Sequence, residues 1–566
     1  MSSPTIQVLR RKISPTPSVA QMQALLAPFN AGHTAQCMED CQAFIQKFPN
    51  HFFGYKVLGV CYEQMEDWEQ AIHWMEKAKQ LSPDDVENLA NLAKVYKDLG
   101  RQEDALNSYR RALQLKPDEP KILAKYLFAL NYLNLDTPEH MLTLARRYGQ
   151  YLSGKAKQKF TEWHIHRSQP LRVGLVSGDL NMHPVGFFLE NVLANLDQKA
   201  IQIIAYPTRD KTDQVSRRLK KHCHAWTPIA SLSDQSAAQR IHNDRIDVLF
   251  DLSGLTAHHR LGVFAHRPAP VQISWLGYFA TTGLPQMDYI LADEQSIPTA
   301  QESYFSEKII RLPHTRLCYG GTHLNRVDPI SLLPALHTIP EQITFGCFQS
   351  LSKITDEVLQ LWARILNRLP NAHLYFQNRQ FNATFTQNQF IQRCTHNGLP
   401  IERLSIHASS GFRTYMSTYA RIDMILDTFP FPGGTTTCEA LWMGVPTLTL
   451  RGEHMIARQG ASLLHAAGLD DWIVNDIDEY ERKAIAFATD LPALAQLRSR
   501  LRDHVGNSPL FNAKQFAADW THLISETYQH HTSQPITAKH NTLTVRRITN
   551  GSNPPHPPQS PHQTPD

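Results

Sequence analysis

The chain has no apolar run approaching the ~18 residues of a membrane span, and its start, MSSPTIQVLRRKISPTPS, lacks an apolar core of signal-peptide length. Its eight cysteines are scattered and unevenly spaced, which argues against a disulfide framework and fits reduced thiols in a cytoplasm. Charged residues make up only 19% of the chain and the net charge is +4, so no nucleic-acid or lipid surface is expected. A metal is not expected either: among 28 histidines, His222-Cys223-His224 and His258-His259 have no second ligand pair at zinc-like spacing, and Cys37 and Cys41 read as helix packing. What is present is 42% apolar residues over 566 positions, enough for about three or four packed domains.

The first of these is repetitive. Pro49, Pro83 and Pro117 lie 34 residues apart, and segments 51–84 and 85–118 superimpose without a gap. Leu58 matches Leu92, Tyr62 matches Tyr96, Ala71 matches Ala105 and Ala78 matches Ala112. Small residues recur where paired helices touch, aromatics fill between them, and proline ends each unit. That pattern resembles tetratricopeptide repeats, a stack of helix hairpins with a concave face that holds peptides. The stack is expected over 17–150, with a degenerate unit before residue 50 and a capping unit after 119; 151–170 reads as a linker. Such a stack implies protein or peptide partners, or pairing of two copies of the chain.

From Leu171 the period becomes strand-like. RVGLVS (172–177), IQIIAY (201–206), IDVLFDL (246–252), VQISWLGY (271–278) and DYILAD (288–293) alternate with amphipathic helices. After a proline-bearing link, ITFGCF (343–348), AHLYFQ (372–377), RLSIHA (403–408), DMILDTF (423–429) and TLTLRG (447–452) repeat the alternation. The expected fold is therefore α/β: two Rossmann-like lobes, 171–315 and 340–531, after an all-α superhelix, with ligands in the cleft outside the carboxyl ends of the strands. The proline-rich polar run 532–566 reads as a disordered tail.

Two strand-to-helix junctions in the second lobe carry chemistry. In Asp427-Thr428-Phe429-Pro430-Phe431-Pro432-Gly433-Gly434-Thr435-Thr436-Thr437-Cys438-Glu439, a strand ends in a Gly-Thr turn and a helix begins at once. Gly433 and Gly434 would let the backbone approach a ligand, and Thr435, Thr436 and Thr437 would offer hydroxyls and free N–H groups. The helix dipole there favours an anion such as a diphosphate, and Glu439 could accept hydrogen bonds from ribose hydroxyls. The plainer account is an ordinary helix cap. It is not a Walker A loop, because no lysine follows the glycines. The second junction, Phe348-Gln349-Ser350-Leu351-Ser352-Lys353, puts a lysine, by itself readable as a solvated loop residue, where its ammonium could neutralise a phosphate leaving group beside the Gly-Thr turn. In the first lobe His183 follows a strand and precedes a helix, facing the cleft with a pKa suited to proton transfer, unless it merely caps its own helix. Asp244 and Asp247 flank the start of IDVLFDL, where either could be structural, and Leu255–Arg260 follows that strand towards the same cleft. No Asp-x-Asp pair is expected in the α/β part to hold a divalent ion.

Together, the repeats and the runs RVGLVSGDLNMHPVGFF, IDVLFDLSGLTAHHRL, HRPAPVQISWLGYFATTGLPQMDYILAD, FGCFQSLSKIT and LDTFPFPGGTTTCEALWMGVP resemble the O-linked N-acetylglucosamine transferase family. That family includes the plant SPINDLY-type protein O-fucosyltransferases and many bacterial members, and the resemblance runs from about residue 17 to 530. It implies a GT-B fold and an inverting, metal-independent transfer from a nucleotide sugar, with no further cofactor, to a protein side chain. By the same resemblance His183 is the histidine near sugar and acceptor, Lys353 contacts the donor diphosphate, and Thr435 and Thr436 belong to the phosphate turn. Glu439 then holds the ribose, and Asp244 matches an aspartate once proposed to relay the acceptor proton. Asp247 falls where animal members carry histidine, so no base role transfers to it. Ser350, His407, Arg413 and Tyr415 are placed around the donor nucleotide.

Two departures bear on the donor. Gly434 replaces the histidine of Gly-His-Thr-Thr, as in the fucosyltransferase branch. Tyr415 replaces a histidine facing the nucleotide, as in bacterial N-glycosyltransferases that modify adhesins with uridine-linked hexoses. The implied activity is transfer of N-acetylglucosamine from a UDP-linked donor to Ser or Thr; N-linked hexosyl transfer to Asn, O-fucosyl transfer, a non-protein acceptor and an inactive adaptor are the alternatives.

Overall fold

The computed structural model describes residues 16–166, 169–320 and 342–533. The expected lead-in up to residue 15, most of the proline-bearing link and the tail after 533 lie outside the described residues. Four antiparallel helix hairpins come first: α1 (Val19–Asn30) with α2 (Thr34–Lys47), α3 (Phe52–Gln64) with α4 (Trp68–Leu81), α5 (Val86–Asp98) with α6 (Gln102–Leu115), and α7 (Pro120–Leu130) with α8 (Pro138–Lys155). The matched positions explain the stacking, because Leu58, Ala71, Ala78, Leu92, Ala105 and Ala112 are all fully buried. Gly59 lets α3 approach α4 closely: a Cβ there would stand 2.6 Å from Met75 Cγ. One boundary differs from expectation. Thr137 caps α8 by accepting from the His140 N–H, and the helix continues to Lys155, so the linker starts later than residue 151.

The first lobe holds seven strands: β1 (Leu171–Ser177), β2 (Ile201–Pro207), β3 (Ala225–Trp226), β4 (Val248–Asp251), β5 (Val271–Ser274), β6 (Tyr289–Ala292) and β7 (Lys308–Arg311), in the order β3-β2-β1-β4-β5-β6-β7. Every pairing is parallel. Its helices are α9 (Pro184–Ala194), α10 (Gln214–Lys221), α11 (Asp234–Asn243) and α12 (Leu261–Ala265). The run expected to continue to residue 278 stops at Ser274, because Leu276 adopts φ 69° and Gly277 N–H bonds back to Trp275 O.

The second lobe has six parallel strands: β8 (Ile343–Cys347), β9 (Ala372–Gln377), β10 (Leu404–His407), β11 (Met424–Leu426), β12 (Thr447–Leu450) and β13 (Ile473–Val474), ordered β10-β9-β8-β11-β12-β13. Around them lie α13 (Asp356–Arg368), α14 (Thr384–His396), α15 (Phe412–Thr418), α16 (Thr435–Trp442), α17 (Gln459–Ala466), α18 (Ile477–Thr489), α19 (Leu491–Gly506) and α20 (Ala513–Ser533). The two lobes are the Rossmann-like pair of a GT-B fold. The simple boundary at 531 conceals one crossing: α20 returns to the first lobe, where Trp520 stacks on Phe250 at 5.3 Å and Tyr528 bonds Asp247. Among the described residues no helix is long and apolar enough to cross a membrane.

In an all-parallel sheet the carboxyl ends share one edge, and the strand order reverses between β1 and β4 in one lobe and between β8 and β11 in the other. These two switch points are where the first lobe's Ser177–His183 loop and the second lobe's 348–353 and 427–434 loops emerge. The lobes meet at the same edge, through Ser462 donating to Asp293 at 2.8 Å and Phe279 packing edge-on against Phe431 at 4.9 Å.

Candidate active site

The second-lobe turn is built on Asp427, which is fully buried at the end of β11. One carboxylate oxygen accepts from the N–H groups of Gly433 (2.8 Å) and Thr428 (3.0 Å), and the other accepts from the Thr449 hydroxyl at 2.9 Å. Burial pushes its pKa up to about 6 against those bonds. The carboxylate folds the chain back so that α16 starts at Thr435. The structure changes the reason for the two glycines. A Cβ on Gly433 would lie 2.3 Å from Thr437 Oγ1 and 2.6 Å from Gln349 Nε2, and one on Gly434 would lie 2.9 Å from Gln459 Nε2. Both positions are therefore closed by the protein's own side chains. Gln459 in turn donates to Gly433 O at 3.1 Å and accepts from the buried guanidinium of Arg316 at 3.0 Å.

The first-turn N–H groups of α16 have no partner within the helix. Beside them, Thr435 Oγ1 and Thr437 Oγ1 are buried and unpartnered among the described residues. Leaving buried hydroxyls unpaired costs roughly 1–3 kcal/mol each, so they read as donors held for a ligand. Lys353 reaches the same turn. Its Nζ donates to Pro432 O at 3.0 Å and to Gln349 Oε1 at 3.3 Å, and lies 4.3 Å above the Phe431 ring. Burial lowers its pKa to about 8, with Asp427 and Cys347 pulling the other way. An incoming diphosphate would favour the charged form further, which suits a group that offsets leaving-group charge.

Gln349 was not among the residues expected from the sequence. It is 4% exposed, accepts from Lys353 and donates to Thr436 Oγ1 at 2.8 Å, so it ties the two junctions together. The only signal was its place in the run FQSLSK, where an uncharged residue draws no notice.

Other expected donor residues fall on the same side with different contacts. Glu439 is turned into the protein: its oxygens accept from Tyr415 (2.8 Å) and Tyr319 (3.3 Å), and burial pushes its pKa up to about 7. It can meet a ribose only by sharing an oxygen already holding a tyrosine. The Tyr415 hydroxyl points at Glu439 and Tyr419 rather than outwards, while the residue lines a cleft of about 620 Å³ together with Phe348, Ser350 and Gln377. The opposite wall of that cleft is made by Glu63, Trp68 and Lys94 of the repeats. His407 ends β10, exposed and stacked on Tyr375 at 4.4 Å, and Arg413 is exposed on α15.

The first-lobe wall is sparser. His183 does cap α9: its Nδ1 accepts from the Val185 N–H at 3.3 Å, with Asp179 Oδ2 3.9 Å away. In the neutral ring this assigns the proton to Nε2, the nitrogen left free to face a ligand. Burial first, then the cations Lys211 and Arg209, hold its pKa below the ordinary histidine value. The ring is thereby a hydrogen-bond donor, and a poor base. The 255–260 loop packs against the start of the same turn, with His258 Cβ only 2.9 Å from where a Cβ on Gly178 would be.

Asp244 does not belong to this site. It follows α11 at the amino end of the sheet, where its carbonyl accepts from Arg172 Nε at 2.9 Å and its carboxylate accepts from the Tyr206 hydroxyl at 2.9 Å. Arg172 is the second residue of β1, and five residues of strand, about 16 Å, separate it from Ser177 at the cleft. Asp247 is likewise structural: it accepts from Arg172 N–H, His166 Nδ1 and Tyr528, clamping linker, sheet and α20. The catalytic segment does contain one Asp-x-Asp, Asp476-Ile477-Asp478, against expectation. It serves a helix end: Asp476 caps α18 by accepting from the Glu479 N–H at 2.7 Å. Among the described residues no group of three or more His, Cys, Asp or Glu is arranged to hold a metal ion.

With this geometry in hand, comparison with known proteins is direct. Residues 148–331 and 334–520 match the profile of glycosyl transferase family 41, and residues 55–118 match a tetratricopeptide repeat profile. A curated relative from Solanum lycopersicum, "Probable UDP-N-acetylglucosamine--peptide N-acetylglucosaminyltransferase SPINDLY", is 34% identical over 397 residues, 69% of this chain and 42% of its own length. The SPINDLY relative of Arabidopsis thaliana is 34% identical over 398 residues, 69% and 43% of the two chains. The chain thus spans about two fifths of the length of these curated relatives. Among solved structures, a point mutant of the Thermobaculum terrenum O-GlcNAc transferase superimposes with a TM-score of 0.81 at 30% identity, covering 91% of this chain and 99% of that one. The chain belongs to glycosyl transferase family 41.

Proposed function

We propose that the protein is an inverting protein O-glycosyltransferase that moves N-acetylglucosamine from a UDP-linked donor to Ser or Thr of protein acceptors. The observation that carries this reading is the convergence of Lys353, Gln349 and the unpartnered hydroxyls of Thr435 and Thr437 on one helix N-terminus. That is a prepared site for a diphosphate leaving group, set in an interlobe cleft beside a repeat groove.

The acceptor hydroxyl oxygen forms a bond to the anomeric carbon from the face opposite the diphosphate, and the bond from that carbon to the diphosphate oxygen breaks. Lys353 and the α16 N-terminus take up the charge that develops on the departing diphosphate. Holding both substrates in line supplies further rate through proximity. His183, with Nε2–H free, donates to a sugar or acceptor oxygen; the acceptor proton passes to the departing diphosphate oxygen and on to solvent, since neither His183 nor the remote Asp244 is placed to take it. No step here calls on a metal. Family membership, the UDP-N-acetylglucosamine named for the relatives, and the O-GlcNAc transferase structural neighbour support donor and acceptor class. Free cysteines favour a cytoplasmic setting. One observation favours a second donor: the Gly434 turn resembles the fucosyltransferase branch, which makes GDP-fucose the competing substrate.

The test is nucleotide release and thermal shift with UDP-GlcNAc, UDP-Glc, UDP-Gal and GDP-Fuc, followed by mapping of the modified side chain on a labelled peptide. UDP-GlcNAc dependence with label on Ser or Thr is expected. Label on Asn, or release with GDP-Fuc alone, would overturn the corresponding half of the reading, and stability without release for every donor would favour a non-catalytic adaptor.

A further inference from the structure

The loop carrying Lys353 is held from outside its own lobe. The turn between α5 and α6 lies against it: Gln102, itself 5% exposed, donates from Nε2 to Ser352 O across 250 residues of chain. Gly100, at φ +79°, sits so close that a Cβ would stand 2.6 Å from Leu351 O. Gln380 bridges the same seam, donating to Asp98 O while its Oε1 accepts the Leu351 N–H at 2.8 Å. The backbone leading into Lys353 is thus held at the repeat face, Ser352 O by Gln102 and Leu351 N–H through Gln380.

A second route runs through Tyr132, just past α7. Its hydroxyl lies beside the Ser352 side chain, whose Oγ is 2.8 Å from Ser350 Oγ. Its ring packs on Phe431 at 4.7 Å, and Phe431 is the ring over which Lys353 Nζ sits at 4.3 Å. Lys97 in turn lies 5.5 Å over the Tyr132 ring and pairs with Asp98. A lysine side chain has several rotatable bonds, and ordering it against solvent carries an entropy cost. Fixed walls on two sides remove that disorder before substrate arrives.

We propose that Gln102 and Tyr132 are positioning residues for Lys353, so that the third and fourth helix hairpins complete the leaving-group site as well as presenting a groove. The inference rests on the diphosphate role of Lys353 argued above. It predicts that the repeats influence the donor in the absence of any acceptor.

A double-mutant cycle on UDP binding by the full chain tests it, using wild type, Gln102→Ala, Lys353→Ala and the combination. Gln102→Ala should weaken UDP about three- to tenfold when Lys353 is present and by less than about twofold in the Lys353→Ala background, since residues acting through one another are not additive. Tyr132→Phe, which keeps the ring and removes only the hydroxyl, should show a smaller loss with the same dependence on Lys353, and it serves should Gln102→Ala fold poorly. Equal losses in both backgrounds, or none in either, would overturn the positioning role while leaving the transferase reading intact. Wild-type protein that does not bind UDP, or binds it equally after Lys353→Ala, would overturn the reading and this inference together.

Discussion

The two lobes share one plan, a parallel sheet whose carboxyl ends meet at the cleft, but they furnish those ends unequally. At the second lobe's switch point Asp427, Gln349, Gln459 and Lys353 each bond the 432–436 turn, and among the described residues two buried threonine hydroxyls stay unpartnered. At the first lobe's switch point stands His183, half-exposed, with its Nδ1 spent on its own helix. The difference teaches where preorganisation is invested. Charge developing on a leaving diphosphate needs fixed dipoles waiting for it, whereas varied acceptor hydroxyls are better served by an open wall.

The comparison can be broken most severely at Gly433. Gly433→Ala pushes a methyl onto Thr437 Oγ1 and Gln349, and should lower kcat/KM for nucleotide release at least about a hundredfold, the scale of losing a preorganised donor set. Turnover near wild type would show that the turn is not closed by its own side chains. A gentler probe is the shape-conserving pair Thr435→Val and Thr437→Val. It should reduce kcat/KM about tenfold or more while leaving the melting temperature of the ligand-free protein unchanged or raised, because unpaired buried hydroxyls are removed. A clear loss of ligand-free stability would mean the hydroxyls are structural.

Titration sharpens the contrast further. Lys353 must be protonated to offset leaving-group charge, and its pKa is lowered to about 8. In kcat/KM, which reports the free enzyme, the rate should therefore fall as pH rises through about 8. A profile flat to the ordinary lysine range would remove the buried lysine from the rate. The smallest effect is expected on the other lobe. Asp244→Asn should leave nucleotide release within about twofold, while the weakened contacts to Tyr206 and Arg240 cost about 1 kcal/mol of stability in denaturant titration. A large loss of turnover at unchanged stability would return Asp244 to the mechanism.

Much of this was legible in the sequence, for local reasons. The repeat was visible because each hairpin needs the same small residues at its contacts. The central strands were visible because double-sided burial demands continuous β-rich runs, and the Gly-Thr turn because few residue types tolerate such packing. The strands that escaped, β3, β7 and β13, all lie at sheet edges, where two to four residues with one neighbour leave little signature. Asp244 took its role from the resemblance alone, although its place before the start of a parallel strand already pointed to the amino end of the sheet. Gln349 and Gln459 act through neutral amides that no motif flags. Glu439 was identified as important, but its partners Tyr319 and Tyr415 come from distant segments. The docking of Gln102 on Ser352 and the return of α20 to Phe250 depend on contacts between remote parts of the chain that periodicity cannot carry.

The most direct measurement is donor-dependent nucleotide release by wild type and Lys353→Ala, with circular dichroism to establish that both are folded. A preorganised leaving-group site predicts that the variant keeps its fold and loses at least about a hundredfold in kcat. Near-normal turnover by a folded Lys353→Ala protein would contradict the account at its centre.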